Sequence, residues 1–307
     1  MFNFIGYLTP YALQFNATGY CRIGDSTSEE QSVKVGAVIS GVNISDNSSR
    51  RAYFTGDVRI YNSCFQRFHY FYVYGNEENN AYIRNTSFNY ICFGLSLNEY
   101  TNIKNVTIVG GSYGLFSSYV GDVDGLILSN CVRVILVAGI TGRFKNVTIN
   151  IYESDTFQRI GNYNGDKDIY YVDCLIIKDK LYRYSSGTIQ DSNNRQYLQS
   201  TFNFKVNNEN ATIKLYDKDG NLLFTEVTDE DGELTKEVTY YLYNVVCLNG
   251  AIDEEIRIDY EPFTLIVSKT GFETTAIENI YVSPGVPTSL NVTLKTAIET
   301  MATNKGL

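Results

Sequence analysis

Over the first two-thirds of the chain, hydrophobic and polar positions recur in a six-residue pattern: apolar, polar, Asn/Asp/Gly, aliphatic, any, aliphatic. Its clearest forms are Ile103-Lys104-Asn105-Val106-Thr107-Ile108 and Phe144-Lys145-Asn146-Val147-Thr148-Ile149. Looser forms occur at 39–44, 55–60, 83–88, 123–128 and 172–177, so the third positions are Gly41, Asp57, Asn85, Asn105, Gly125, Asn146 and Cys174. The steps between them are 16, 28, 20, 20, 21 and 28 residues. A period near 20 residues is too short for paired-helix repeats and fits one coil of a strand solenoid, each coil adding about 4.8 Å of height. Beyond the third position the aliphatic residues alternate, which is the period of a strand with one buried face. The apolar first position and the aliphatic fourth are an odd number apart, so one straight strand cannot bury both. The chain must bend at the third position, where Asn, Asp and Gly tolerate left-handed angles or close a turn. Cys174 is the exception.

A second register supports the first. Leu95, Leu115 and Ile135 repeat at 20 residues, as do Leu97, Ser117 and Val137. A single coil cannot stand alone, because burying a few aliphatic side chains yields about 1.5–3 kcal/mol each while ordering each residue costs roughly 1–2 kcal/mol. Stacked coils close one another's edges. On these hexads the segment 36–198 resembles the right-handed parallel β-helix superfamily, the pectate-lyase-like fold of polysaccharide-cleaving enzymes, phage tailspikes and surface proteins. The resemblance implies a stacked asparagine ladder at Asn85, Asn105 and Asn146. The longer steps predict loops projecting around 65–80 and 152–170, where such stacks place function. Residues 1–35 are expected to cap the solenoid.

From about Thr201 the 20-residue period stops. Short alternating strands are predicted at 202–206, 211–216, 221–227, 234–243, 263–268, 280–282 and 289–294, with Asp217-Lys218-Asp219-Gly220 as a hairpin turn. Strands of this length and spacing suggest a sandwich over 199–296. The runs 211–217, 228–234, 265–274 and 290–294 resemble the carboxypeptidase regulatory-like, or transthyretin-like, domain, which implies a spacer or interaction unit. The expected fold is therefore all-β: a right-handed parallel β-helix plus a C-terminal β-sandwich of transthyretin-like or Ig-like type, with 297–307 as a tail or linker.

Composition adds 26 Tyr, 17 Phe, no Trp and one His. Tyrosine at this frequency suits strand surfaces and contacts with carbohydrate or protein. A formal net charge of -9 and no Lys/Arg stripe argue against nucleic acid, and no apolar run reaches the length of a membrane span. The six cysteines, at 21, 64, 92, 131, 174 and 247, form no CxxC pair. Cys64, Cys92 and Cys131, six or seven residues after a turn residue, are expected as small buried side chains stacking along the solenoid, with disulfides as the alternative.

The run from Phe68 to Tyr74 places Phe68, Tyr70, Tyr72 and Tyr74 on one strand face, a platform for sugar rings or a protein if it points outward. The same row facing inward would fill the core. His69 lies on the opposite face without a catalytic constellation around it. Phosphate loops, dinucleotide glycines and zinc motifs are missing, and neither cofactor nor metal is expected. Two carboxylates suffice for glycoside hydrolysis, and the candidate pairs are Asp122 with Asp124 and Glu153 with Asp155. Gly121-Asp122-Val123-Asp124-Gly125 departs from the adjacent aspartates of polygalacturonases. Outward positions after the bend are polar except Ile127 and Ile176, an expected interface with another subunit or the C-terminal domain.

These features favour a non-enzymatic structural and recognition protein on a virion, since tail fibres, tailspikes and decoration proteins combine such modules. The alternatives are a β-helix polysaccharide lyase or hydrolase, and a secreted adhesin or filament subunit. Expected partners are other virion or surface proteins and host-surface polysaccharide, within a homo-oligomer or larger assembly. Localisation on a virion or cell surface follows, with neither nucleic-acid binding nor membrane insertion.

Overall fold

A computed structural model describes residues 13–23, 38–40, 51–66, 68, 70–78, 80–91, 94–117, 122–137, 141–150, 158–160, 166–176, 183–184, 192–249 and 251–297. The chain is all-β and contains a β-solenoid. Its strands begin with β1 (Leu13–Ile23), β2 (Val38–Ser40), β3 (Arg51–Tyr61), β4 (Cys64–Gln66), β5 (Tyr70–Tyr74), β6 (Ala81–Asn89) and β7 (Leu95–Leu97). The longest parallel pair is β8 (Thr101–Ser117) with β9 (Asp122–Val137), in register from Ile103 opposite Val123 to Ser117 opposite Val137. Then follow β10 (Thr141–Lys145), β11 (Thr148–Asn150), β12 (Gln158–Ile160), β13 (Lys167–Val172) and β14 (Arg183–Tyr184). The pairings β3–β6, β6–β8, β8–β9, β9–β10 and β10–β13 are all parallel, which stacks successive coils.

Register fixes the bend of each coil. Positive φ occurs at Asn62 (48°), Asn85 (49°), Asn105 (54°), Gly125 (70°), Asn146 (54°) and Asp173 (50°), one row down the stack. Two hexads therefore sit elsewhere than expected. Asn62, rather than Asp57, turns its coil, so the repeat there is 60–65. Asp173, rather than Cys174, turns the last coil, so the repeat there is 171–176. In the last coil the expected position holds Cys174, and the register instead puts Asp173 at the left-handed angle, which Asn, Asp and Gly favour. Asn85, Asn105 and Asn146 lie where expected. Ile39 pairs with Phe65, the sixth position of its coil rather than the first, and Gly41 lies outside the described residues.

The interior follows from these columns. First positions Ile60, Ile83, Ile103, Val123, Phe144 and Tyr171 are buried, as are sixth positions Phe65, Phe88, Ile108, Leu128 and Ile176. In the fourth column Ser63 and Thr86 are buried beside Val106, Leu126, Val147 and Cys174. Their hydroxyls donate 2.8 Å hydrogen bonds to the carbonyls of Tyr61 and Arg84, which removes the penalty of burying them. Early coils are filled by Phe54, Phe65, Phe71 and Phe88, with ring centroids 4.6 Å apart for Phe65–Phe71 and 5.3 Å for Phe65–Phe88. A second left-handed row, Tyr90, Gly110 and Asn130, turns another corner. The exposed Tyr90 ring covers Gly110, where a Cβ would meet it at 2.7 Å.

The second expected row is borne out, with Leu95 opposite Leu115 and Leu115 opposite Ile135. Of the three cysteines expected to stack, Cys92 lies outside the described residues, and Cys64 and Cys131 stand in different columns. Cys64 is half-buried in the outward column opposite Ser87, whereas Cys131 is buried opposite Gly111. Cys64, Cys131, Cys174 and Cys247 are free thiols.

β15 (Ser192–Val206) runs through the expected domain junction without a break. It pairs in parallel with β13 on one edge, while β18 pairs antiparallel along it. The remaining strands are β16 (Thr212–Tyr216), β17 (Leu222–Val227), β18 (Glu233–Leu248), β19 (Ala251–Asp259), β20 (Phe263–Ser268), β21 (Thr275–Ile280) and β22 (Thr288–Val292). β17, β16, β20 and β21 form an antiparallel sheet, and β22 pairs in parallel with β15. Phe202 on β15 meets Phe263 on β20 at 5.6 Å edge-to-face, so the two sheets share apolar contacts. β19 was not foreseen. It pairs with β18 and carries exposed Asp253, Glu254, Glu255, Arg257 and Asp259, charges that discourage edge pairing.

Candidate functional site: an outward tyrosine platform

β5 alternates strictly, with Tyr70, Tyr72 and Tyr74 half-buried and Phe71 and Val73 buried. The tyrosines face outward because the phenylalanine and valine fill the coil. Phe68 does not join them. It is 8% exposed and packs against Phe65 and Phe71 at 6.5 Å and 5.4 Å, since it precedes the strand and the alternation does not reach it.

The platform gains a member from the neighbouring coil. Tyr53 lies opposite Tyr72 in the β3–β5 register, with centroids 4.4 Å apart and planes 1° from parallel. Tyr70 stacks on Tyr72 at 5.5 Å, and Tyr74 meets it edge-on at 5.8 Å. The Tyr74 hydroxyl shares a 2.9 Å hydrogen bond with Ser96 in the next coil. Burial raises the Tyr72 phenol well above its usual range, and the neighbouring Tyr53 adds to this. Burial likewise raises Tyr74, partly offset by the bond to Ser96. The Tyr72 and Tyr74 phenols thus stay neutral at physiological pH, and the platform offers ring faces and hydroxyls, the chemistry of saccharide or protein contact. Tyr53 was missed because the misplaced hexad at 55–60 put the bend too close to it. The alternation of Tyr53, buried Phe54 and Thr55 was the available signal.

The asparagine row is a structural ladder. Asn105 Nδ2 donates to Asn85 Oδ1 at 3.2 Å. At Gly125 the ladder lacks a side chain, and Asn146 Nδ2 reaches Asp124 Oδ1 at 2.7 Å instead. One oxygen of a candidate catalytic carboxylate is thereby engaged in holding a turn. Asp124 also lies between Lys104 and Lys145 in register, and the backbone of Asp122 pairs with Arg143. Glu153, Asp155 and His69 lie outside the described residues.

Of the expected interface residues, Ile127 is exposed at 42%, whereas Ile176 is 1% exposed. The one-residue register shift explains the second: Ile176 occupies a sixth, inward position, and Leu175, 45% exposed, takes the outward one. Thr148 pairs with both Ile127 and Leu175, so the outward column reads Ile127, Thr148, Leu175. A Cβ on Gly285 would stand 3.0 Å from the Leu175 Cβ, so the C-terminal turn borders this column.

Among the described residues, no three His, Cys, Asp or Glu side chains gather as metal ligands, and no helix is long and apolar enough to cross a membrane. Comparison with protein-family models, curated proteins and solved structures finds no match to this chain.

Proposed function

We propose that this chain is a non-enzymatic structural and recognition protein, a virion component of the tail-fibre, tailspike or decoration type. In this reading a right-handed parallel β-helix is the stiff stalk. A transthyretin-like β-sandwich joined through β15 acts as a spacer, and the contacts Phe202–Phe263 and Phe204–Phe224 support that packing. The observation that carries the reading is the outward stack of Tyr53, Tyr70, Tyr72 and Tyr74 on a parallel ladder. A stack of rings held by strand pairing is ordered before any ligand arrives, which lowers the entropic cost of binding. Host-surface polysaccharide or another surface protein is the fitting partner.

The test has two arms. Gold-labelled antibody against the chain should decorate intact particles in electron micrographs. The purified chain should bind members of a polysaccharide panel, weakened by Tyr72→Ala, without releasing reducing sugar. Release of reducing ends would transfer the reading to a lyase or hydrolase. Unlabelled particles would remove the virion assignment.

A further inference from the structure

We infer that the outer edge of β17 pairs with β17 of a second copy of this chain, antiparallel about a two-fold axis at Thr225, so that two four-stranded sheets join into one of eight. The sheet runs in the order β17, β16, β20, β21. Among the described residues, β17 is paired on one side alone, to β16. Its other side presents a row of backbone donors and acceptors to a further strand. Phe224 and Glu226 are half-buried, with Phe224 against Phe204 at 6.1 Å, while Thr225 and Val227 are exposed.

Side chains distinguish this edge from the others. Within six residues β17 carries Leu222, Leu223 and Val227, which are 52%, 36% and 52% exposed and make up three of the eleven exposed large hydrophobics among the described residues. β19 carries Asp253, Glu254, Glu255 and Asp259, and like charges brought opposite one another would hold two copies apart there. β17 has one charged residue, Glu226, and Lys236 Nζ stands 2.7 Å from its carboxylate. An apolar edge with its single charge already balanced lacks the usual guard against strand addition.

Charge complementarity selects a second copy as the occupant and fixes its register. A two-fold axis through Thr225 keeps inward residues opposite inward ones, and it sets Glu226 against Phe224 of the other copy. Lys236 lies over that ring, with Nζ 5.7 Å from the centroid. Each Glu226 thus arrives beside the Lys236 of the other copy as well as its own, and two acids and two amines form a neutral set of four. Val227 meets Leu222 and Leu223 of the other copy, where the register with β16 shifts. Moving the axis to Phe224 would set Glu226 against Leu222, and moving it to Glu226 would set the two carboxylates against each other. Strands of six residues make a small interface, so the association is weak and concentration-dependent.

The test is sedimentation velocity of the full chain over a micromolar dilution series, with a crosslink to report the register. Dimer should replace monomer as concentration rises. Val227→Lys, at an exposed position, should raise the dissociation constant about ten-fold by setting a charge against leucine, while the melting temperature of the dilute protein holds. Thr225→Cys puts a thiol on the axis, where facing Cα atoms about 4.5–5.5 Å apart suit a disulfide. Mild oxidation should then give a covalent dimer on a non-reducing gel, beyond the background of the unsubstituted chain. Val227→Cys, whose counterpart lies roughly 13 Å away along the paired strand, should give none. A chain that stays monomeric, a dimer indifferent to Val227→Lys, or equal crosslinking by Thr225→Cys and Val227→Cys overturns the inference.

Discussion

Position 125 lies in the stack where the neighbouring coil leaves no room for a side chain. A Cβ there would stand 2.6 Å from Asn105 Oδ1, and φ is +70°. Gly125→Ala should therefore lower stability by about 1–3 kcal/mol, read as a shift in the urea midpoint, through strain and the displaced Asn105 amide. Asn105→Ala loses the bond to Asn85 and keeps the left-handed angle without its favoured residue, so a smaller loss is expected. Cys174 makes a separate prediction. Burial pushes its thiol up to about 12, with Asp173 and Asp124 adding to the shift. The folded state thus holds this proton more tightly than the unfolded chain. That contribution is full below pH 9 and is lost as pH rises from 9 towards 12. Urea midpoints should fall over that window, and Cys174→Ala should flatten the slope.

Among the elements, β15 decides most. Its inward residues Asn194 and Gln196 are fully buried where an aliphatic would be expected, with Gln196 opposite Ile169. Among the described residues, Asn194 Oδ1 and both amide atoms of Gln196 find no hydrogen-bond partner. An unsatisfied buried amide costs roughly 1–3 kcal/mol, so Gln196→Leu should raise the thermal midpoint, a change that differential scanning calorimetry would detect. A fall would mean the amide has a partner. The hexads at 83–88, 103–108, 123–128 and 144–149 were legible because each had an apolar residue on both sides of an Asn or Gly. Those around Asn62 and Asp173 were not. There, Ser63 and Cys174 replace the aliphatic of the fourth position, and nearby residues mimic the pattern one or five positions away. β19 was illegible for another reason: an edge strand exposed on both faces needs no apolar alternation.

For the whole molecule, the question is what covers the outward column of Ile127, Thr148 and Leu175. The turn at Gly285 borders Leu175, while Ile127 remains 42% exposed. If this column is an assembly face, Ile127→Lys should shift sedimentation velocity towards smaller species. Unchanged sedimentation and melting would remove the interface. β15 also ties the solenoid to the C-terminal sheets, pairing with β13, β18 and β22, and Asp173 accepts a 2.7 Å bond from the Thr201 amide. Truncation after Gln190 should leave β13 as an open edge, and aggregation on size-exclusion chromatography is expected.

The sequence by itself determined an all-β chain with stacked coils near 20 residues, because inward aliphatics and left-handed turn residues must recur once per coil wherever identical strands lie over one another. It also marked Tyr70, Tyr72 and Tyr74 as one face. Only the tertiary structure decided that this face points outward, that Tyr53 completes it, and that Phe68 and Ile176 are core. The reason is physical: alternation fixes which residues share a face, but the register between coils fixes which side is inside and which residues from different coils become neighbours.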